Sequence, residues 1–194
     1  AGSVVCIHPG LVFLSRNVSK MPGFPTIVDP KHQMCVRADM AVIDPNATQD
    51  EEGHVTLSHD PAAQHSPYNP FAVAHFINHT PKGSAPNAFI LDFDFPATVA
   101  PTLRPLIPNA VFKLPTKNNS WRQGAWDLSE RQTSAQRFAI PSSVVVVNRN
   151  IEDGEELLLD YRFNPYKRKQ WPSWYVPFDE EAAARRWGEV ETIG

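Results

Sequence analysis

Phe76-Ile77-Asn78-His79-Thr80, with Pro86-Asn87 behind it, and Gly154-Glu155-Glu156-Leu157-Leu158-Leu159-Asp160-Tyr161 decide how this chain is read. After the turn that Gly154 permits, strand alternation places Leu157, Leu159, Tyr161 and Phe163 on one face and Leu158, Asp160 and Arg162 on the other. Tyr161 then lies in an apolar stripe. Asn78 and His79 offer an amide side chain and main-chain polar groups to a ligand. Taken singly, neither stretch is decisive: the first is a loop dipeptide, and the second is as readily a plain β-strand with a core tyrosine.

The surrounding sequence is organised as short strand-like runs. Val4-Val5-Cys6-Ile7, Leu11-Val12-Phe13-Leu14, Met34-Cys35-Val36, Ala41-Val42-Ile43, Ala88-Phe89-Ile90-Leu91 and Ser143-Val144-Val145-Val146-Val147 are apolar and bounded by Pro, Gly, Asn and Asp. They predict a mainly β fold of small sheets with a few short helices. Nineteen prolines oppose long helices, because each removes a backbone donor and restrains the residue before it. A short helix is expected after Asn69 as N-cap and Pro70, leaving Asn78-His79 at its exit. A second is expected over Asp179-Glu180-Glu181-Ala182-Ala183-Ala184-Arg185-Arg186-Trp187, acidic at its start and basic at its end. Residues 46–70 and 114–137 are polar and read as surface insertions.

With 194 residues the chain suits one domain plus a tail. A formal net charge of -3 and 42% apolar residues describe an ordinary globular protein without the basic excess that nucleic acid would demand. Cys6 and Cys35 are too few for a disulfide scaffold or a four-cysteine zinc site, and are expected to be buried thiols. No apolar run spans a bilayer and the first residues lack a secretory pattern, so the expectation is a soluble intracellular protein, nuclear or cytoplasmic, with no membrane partner. His75 and His79 stand four apart with Asp92 and Asp94 downstream, but the Glu of His-Glu-x-x-His is missing and no third ligand is fixed. No metal is expected.

Taken together, the two opening stretches resemble the signature of the SET domain, the fold of S-adenosylmethionine-dependent protein-lysine methyltransferases. The order Asn-His, then Pro-Asn, then Gly-Glu-Glu-Leu with a late tyrosine matches the family, although Thr80-Pro81-Lys82-Gly83-Ser84-Ala85 is two residues longer than the family gap. Val4-Val5-Cys6-Ile7-His8-Pro9-Gly10-Leu11-Val12 and Val42-Ile43-Asp44-Pro45-Asn46 resemble earlier family segments. Asn69-Pro70-Phe71-Ala72-Val73, Phe93-Asp94-Phe95-Pro96 and Leu106-Ile107-Pro108-Asn109 follow in the order found in one member of the family.

The resemblance implies a β-clip of small sheets closed by a C-terminal pseudoknot, in which the Asn-His segment and the late strand meet. It implies S-adenosyl-L-methionine as cofactor, a lysine side chain of a protein as substrate, and methyl transfer as the reaction. Asn78, His79 and Phe76 would hold the cofactor. Tyr161 would touch both cofactor and the reacting lysine, and Leu159 and Phe163 would line the substrate channel. A tyrosine hydroxyl suits this in-line displacement, which needs alignment and exclusion of water more than covalent help.

The chain departs from the family in three places. None of its nine glycines forms the Gly-x-Gly turn that packs around the cofactor's methionine end, so a SET domain over 1–166 lacking its first strand and that turn is expected. Leu159 replaces the aromatic residue often found two before the late tyrosine. The cysteine-rich zinc motif that can follow the domain is absent, and an aromatic tail over 167–194 takes its place. These features keep an alternative open, a SET-like domain without activity that serves as a protein-interaction module. The tail aromatics, Trp171, Trp174, Tyr175 and Trp187 among them, are read first as anchors of the tail.

Overall fold

The structure is a computed structural model that describes residues 1–26, 33–58, 69–114 and 139–191. Nearly all of the segment 114–137 therefore lies outside the described residues, as does 59–68 within the other expected insertion. The fold is mainly β. In chain order the strands are β1 (Val4–Ile7), β2 (Gly10–Phe13), β3 (Cys35–Val36), β4 (Val42–Asp44), β5 (Ala47–Gln49) and β6 (Val55–Leu57). There follow β7 (Asn78–His79), β8 (Ala88–Phe95), β9 (Asn109–Val111), β10 (Ile140–Val147) and β11 (Leu158–Leu159). Among the described residues the one α-helix is α1 (Glu180–Glu191), and the other helical pieces are short 3-10 turns.

The chain divides into two compact units. One, the apolar unit, is made of Cys6–His75 and Asp92–Val144. The other, the motif unit, is made of Ala1–Val5, Phe76–Leu91 and Val145–Gly194. β1, β10 and β8 form a three-stranded sheet in that order.

The apolar unit is built on the sheet β3-β4-β2-β9, in which β2 runs antiparallel to β4 and parallel to β9. β-Branched and aromatic residues make these strands because they pack well on a pleated surface. Leu11, Phe13, Met21, Val42, Ala47 and Phe112 form its core cluster. The rings of Phe13 and Phe112 are stacked with centroids 5.0 Å apart, and burial of each large side chain stabilises by roughly 1.5–3 kcal/mol. Gly10 opens β2 because β4 crosses it closely: a Cβ there would meet the Asp44 carbonyl oxygen at 2.4 Å, and its φ is +134°.

Residues 47–57, inside the stretch read as an insertion, form the β5–β6 hairpin, and Ala47 enters the core cluster. The Asp50 carboxylate accepts the His54 backbone N–H at 2.7 Å and closes its turn. Asn69 does start a turn, accepting the Phe71 N–H at 2.9 Å, but the helical segment that follows is only Ala74–Phe76. Cys6 and Cys35 are buried free thiols, as expected.

In the motif unit β7 and β11 are two residues each and pair in parallel, Asn78 opposite Leu158 and His79 opposite Leu159. The long alternating strand expected through Phe163 is not formed. β11 ends at Leu159, and Arg162 adopts φ 49°, a left-handed conformation that breaks alternation. Asp179 caps α1 through the Ala182 N–H at 2.8 Å, with Glu180 and Glu181 in the first turn. The acidic start agrees with the expectation, but the helix runs on past Arg185 and Arg186 to Glu191, so its last turn carries no basic residue.

Candidate functional site

Two residues of strand cannot hold β7 and β11 together by a ladder alone, and side chains do most of the joining. Asn87 is the centre of this. Its backbone N–H donates to the Leu158 carbonyl at 3.2 Å and its Oδ1 accepts the Leu158 N–H at 2.8 Å. Its Nδ2 donates to the Glu156 carbonyl at 2.8 Å and to Glu155 Oε1 at 3.0 Å. Asn87 is 2% exposed, so these bonds are made where water does not compete.

Glu155 is bound on several sides. Arg149 forks onto its carboxylate, and the Glu152 N–H donates to Oε2 at 2.9 Å. The Arg149 hydrogen bond, then the Glu152 N–H and Asn87, pull its carboxyl down from 4.5 to about 2. Gly154, at φ +76°, turns the chain into this arrangement.

The joined strands bring the predicted residues together. The Tyr161 hydroxyl donates to the Ile77 carbonyl at 2.8 Å, immediately before Asn78. The Tyr161 backbone N–H donates to His79 Nδ1 at 3.2 Å. His79 Nε2 lies 2.8 Å from the Val176 carbonyl. Since Nδ1 accepts the Tyr161 N–H, Nε2 is the nitrogen that donates to the Val176 carbonyl, and the two partners fix the orientation of the ring. Its side chain is 3% exposed and both nitrogens are engaged, so any ligand meets the backbone of His79 and not its ring. Asn78 is exposed, and its Nδ2 donates to Glu156 Oε1 at 2.8 Å.

Aromatic rings close over this pair. Tyr175 is buried and packs on His79, Phe163 and Trp171, with centroids at 4.6, 4.5 and 4.9 Å. Its hydroxyl accepts the Phe163 N–H at 3.1 Å, and burial first of all pushes that hydroxyl up to about 12. Trp174 lies 6.2 Å from the Tyr161 ring and 6.5 Å from that of Phe163, yet is 54% exposed. Trp187 Nε1 donates to the Arg162 carbonyl at 2.9 Å. The tail thus docks through its aromatics on the segments that carry the motifs, with Trp174 beside Tyr161.

Tyr161 and Phe163 keep their rings together, centroids 5.7 Å apart, although no strand joins them. Leu159 is buried in β11. Phe76 stands 52% exposed at the end of its 3-10 turn. Sequence reading gave no role to Glu156, Glu155, Arg149 or Asp160. Asp160 was assigned to the face opposite Tyr161, but its side chain is 6% exposed and Oδ1 lies 3.9 Å from His79 Nδ1. The adjacency of the two glutamates after Gly154 was the one available signal.

Of the carboxylates considered with His75 and His79 for a metal, Asp94 pairs with Arg37 Nη2 at 2.8 Å and Asp92 accepts the Ala38 N–H at 2.8 Å. Among the described residues the one trio with metal-ligand spacing is Asp50, Glu52 and His54, all exposed in the β5–β6 turn. No helix among the described residues is long and apolar enough to cross a membrane.

What this geometry defines is a mainly β protein whose two distant motifs meet under an aromatic tail. The chain matches no protein-family model, no curated protein and no solved structure.

Proposed function

We propose that the chain is an S-adenosyl-L-methionine-dependent protein-lysine methyltransferase of the SET type, with the β-clip and pseudoknot of that fold. The observation that carries this reading is the parallel pairing of β7 with β11, which sets the Tyr161 hydroxyl against the carbonyl that precedes Asn78-His79. The Tyr161 hydroxyl, which donates its proton to the Ile77 carbonyl, would meet the lysine amine or the sulfonium methyl through its oxygen.

In the proposed reaction the uncharged lysine amine attacks the sulfonium methyl group in line, and the carbon–sulfur bond breaks as the carbon–nitrogen bond forms. Asn78 and the backbone of His79 hold the cofactor. Phe163 and Trp174 give the aliphatic and cationic parts of a lysine an aromatic wall beside Tyr161. Tyr175 excludes water from below, which favours the neutral amine. Leu159 and Phe76 complete the apolar lining. The cofactor supplies the activated methyl group.

The test is methyl transfer from labelled S-adenosylmethionine to a lysine peptide library. Tyr161→Phe should lower kcat about a hundredfold while calorimetric binding of the cofactor persists. Asn78→Ala should abolish saturable cofactor binding. Equal turnover by Tyr161→Phe, or no cofactor binding by the unaltered protein, would sink the proposal.

A further inference from the structure

We propose that His79 and Asp160 form a positioning pair for Tyr161 that a single proton switches. The proposal rests on the methyltransferase reading and adds to it a regulation of the same site. It begins with an asymmetry at the buried ring. His79 Nε2 donates to the Val176 carbonyl at 2.8 Å, a group that only accepts. Nδ1 stands between two groups of opposite character: the Tyr161 N–H, a donor, at 3.2 Å, and Asp160 Oδ1, an acceptor, at 3.9 Å.

Both side chains are withdrawn from water, His79 with 3% and Asp160 with 6% of its surface exposed. Asp160 is held where it stands. Its Oδ1 accepts the Arg162 N–H at 3.2 Å, and its Oδ2 lies 3.6 Å from Arg162 Nε. Among the described residues the other titratable groups against the ring are the phenols of Tyr161 and Tyr175, with centroids at 5.4 and 4.6 Å. Burial pushes the Tyr175 hydroxyl up to about 12, so it carries no charge where an imidazole titrates. Trp174 and Val176 also face the ring and bring no charge.

Without a proton, Nδ1 accepts the Tyr161 N–H and holds the backbone from which the Tyr161 hydroxyl reaches the Ile77 carbonyl at 2.8 Å. With a proton, Nδ1 can only donate. The Tyr161 N–H then faces another donor, and the Asp160 carboxylate is the acceptor that draws the ring. Because Nε2 stays on Val176, the ring turns about that anchor towards Asp160 and lets go of Tyr161. The phenol is displaced from Ile77, and turnover falls on the acid side. The His79 ring acts through Tyr161 and Asp160 acts through His79, so both are positioning groups.

Heteronuclear NMR on the full chain without cofactor tests the switch from about pH 8 to 5, the span in which imidazoles change charge. The His79 Nδ1 and Tyr161 amide resonances should move together, with one midpoint. Asp160→Asn, which keeps an acceptor for the Arg162 N–H and removes the charge, should move that shared midpoint to lower pH. His79→Asn, whose amide oxygen replaces Nδ1 as acceptor without titrating, should leave the Tyr161 amide without a pH response. With one lysine peptide as substrate, the acid limb of kcat should extend to lower pH in Asp160→Asn, because ionisation of the substrate is common to both proteins. Separate midpoints, or a Tyr161 amide that ignores pH in the unaltered protein, would overturn the inference. So would an unmoved midpoint in Asp160→Asn, the result expected of a merely structural carboxylate. Coupled resonances in a protein that binds no S-adenosylmethionine would overturn the methyltransferase reading and leave the switch standing.

Discussion

Each of the two units of this molecule is stabilised internally by a different kind of force. In the apolar unit, Val12, Phe13 and Ile43 are wholly buried, and four strands of two to four residues lie on a shared hydrophobic cluster. In the motif unit the paired strands are two residues long, and side-chain amides, carboxylates and stacked rings supply what the ladder cannot. A hydrophobic cluster tolerates exchange among residues of similar shape. A polar junction such as Asn87 does not, because each lost partner leaves a buried group unsatisfied. The lesson is that residue identity is constrained most tightly where the proposed chemistry lies.

That contrast can be broken by experiment. Phe13→Ala should lower the unfolding free energy by about 4 kcal/mol, the cost of a fully buried ring and the cavity it leaves. Chemical denaturation measures it, and a loss below about 1 kcal/mol would show that this unit does not depend on its core. Asn87→Ala should cost about 3 kcal/mol. Hydrogen exchange should place that loss at the Leu158, Leu159 and Thr80 amides, with the Phe13 amide protected. Uniform loss across both units would erase the distinction.

The smallest effect concerns Glu155. Its carboxyl is depressed from 4.5 to about 2, mainly by Arg149, so its contribution to stability is complete above pH 4.5. It is lost as pH falls towards 2 and the folded form takes up the proton. Acid unfolding of Glu155→Gln should therefore show a shallower fall in stability over that window than the unaltered protein. Identical slopes would mean that the Arg149 fork contributes nothing.

Much of the fold was legible as strands because β-branched runs between turn residues need little context. β1 covers Val4–Ile7 as read, and β10 extends the Ser143-Val147 run back to Ile140. β8 continues past Leu91 to Phe95 because Asp92 and Asp94, which break an apolar run on paper, are used by the Ala38 N–H and by Arg37. β11 is shorter than alternation predicted. Its downstream residues are held by His79, Tyr175 and Trp187, and no neighbouring strand is needed. Asn78, His79 and Tyr161 were singled out by the resemblance of the two motifs to a family signature. Glu156 and Asp160 were not, since each acts through a residue far away in the chain, whereas the anchoring role of Tyr175 was legible in the aromatic tail.

By itself the sequence determined a mainly β fold, the two motifs and their order, and the capped C-terminal helix. Those follow from local preference and from side-chain period, which neighbours in sequence supply. The tertiary structure alone decided that Asn87 ties the motifs together, that the His79 ring is spent on Tyr161 and Val176, and which of two adjacent glutamates faces Asn78. Each of these is a hydrogen bond between groups about 70 to 100 residues apart, and its direction depends on which donor meets which acceptor once the chain has closed.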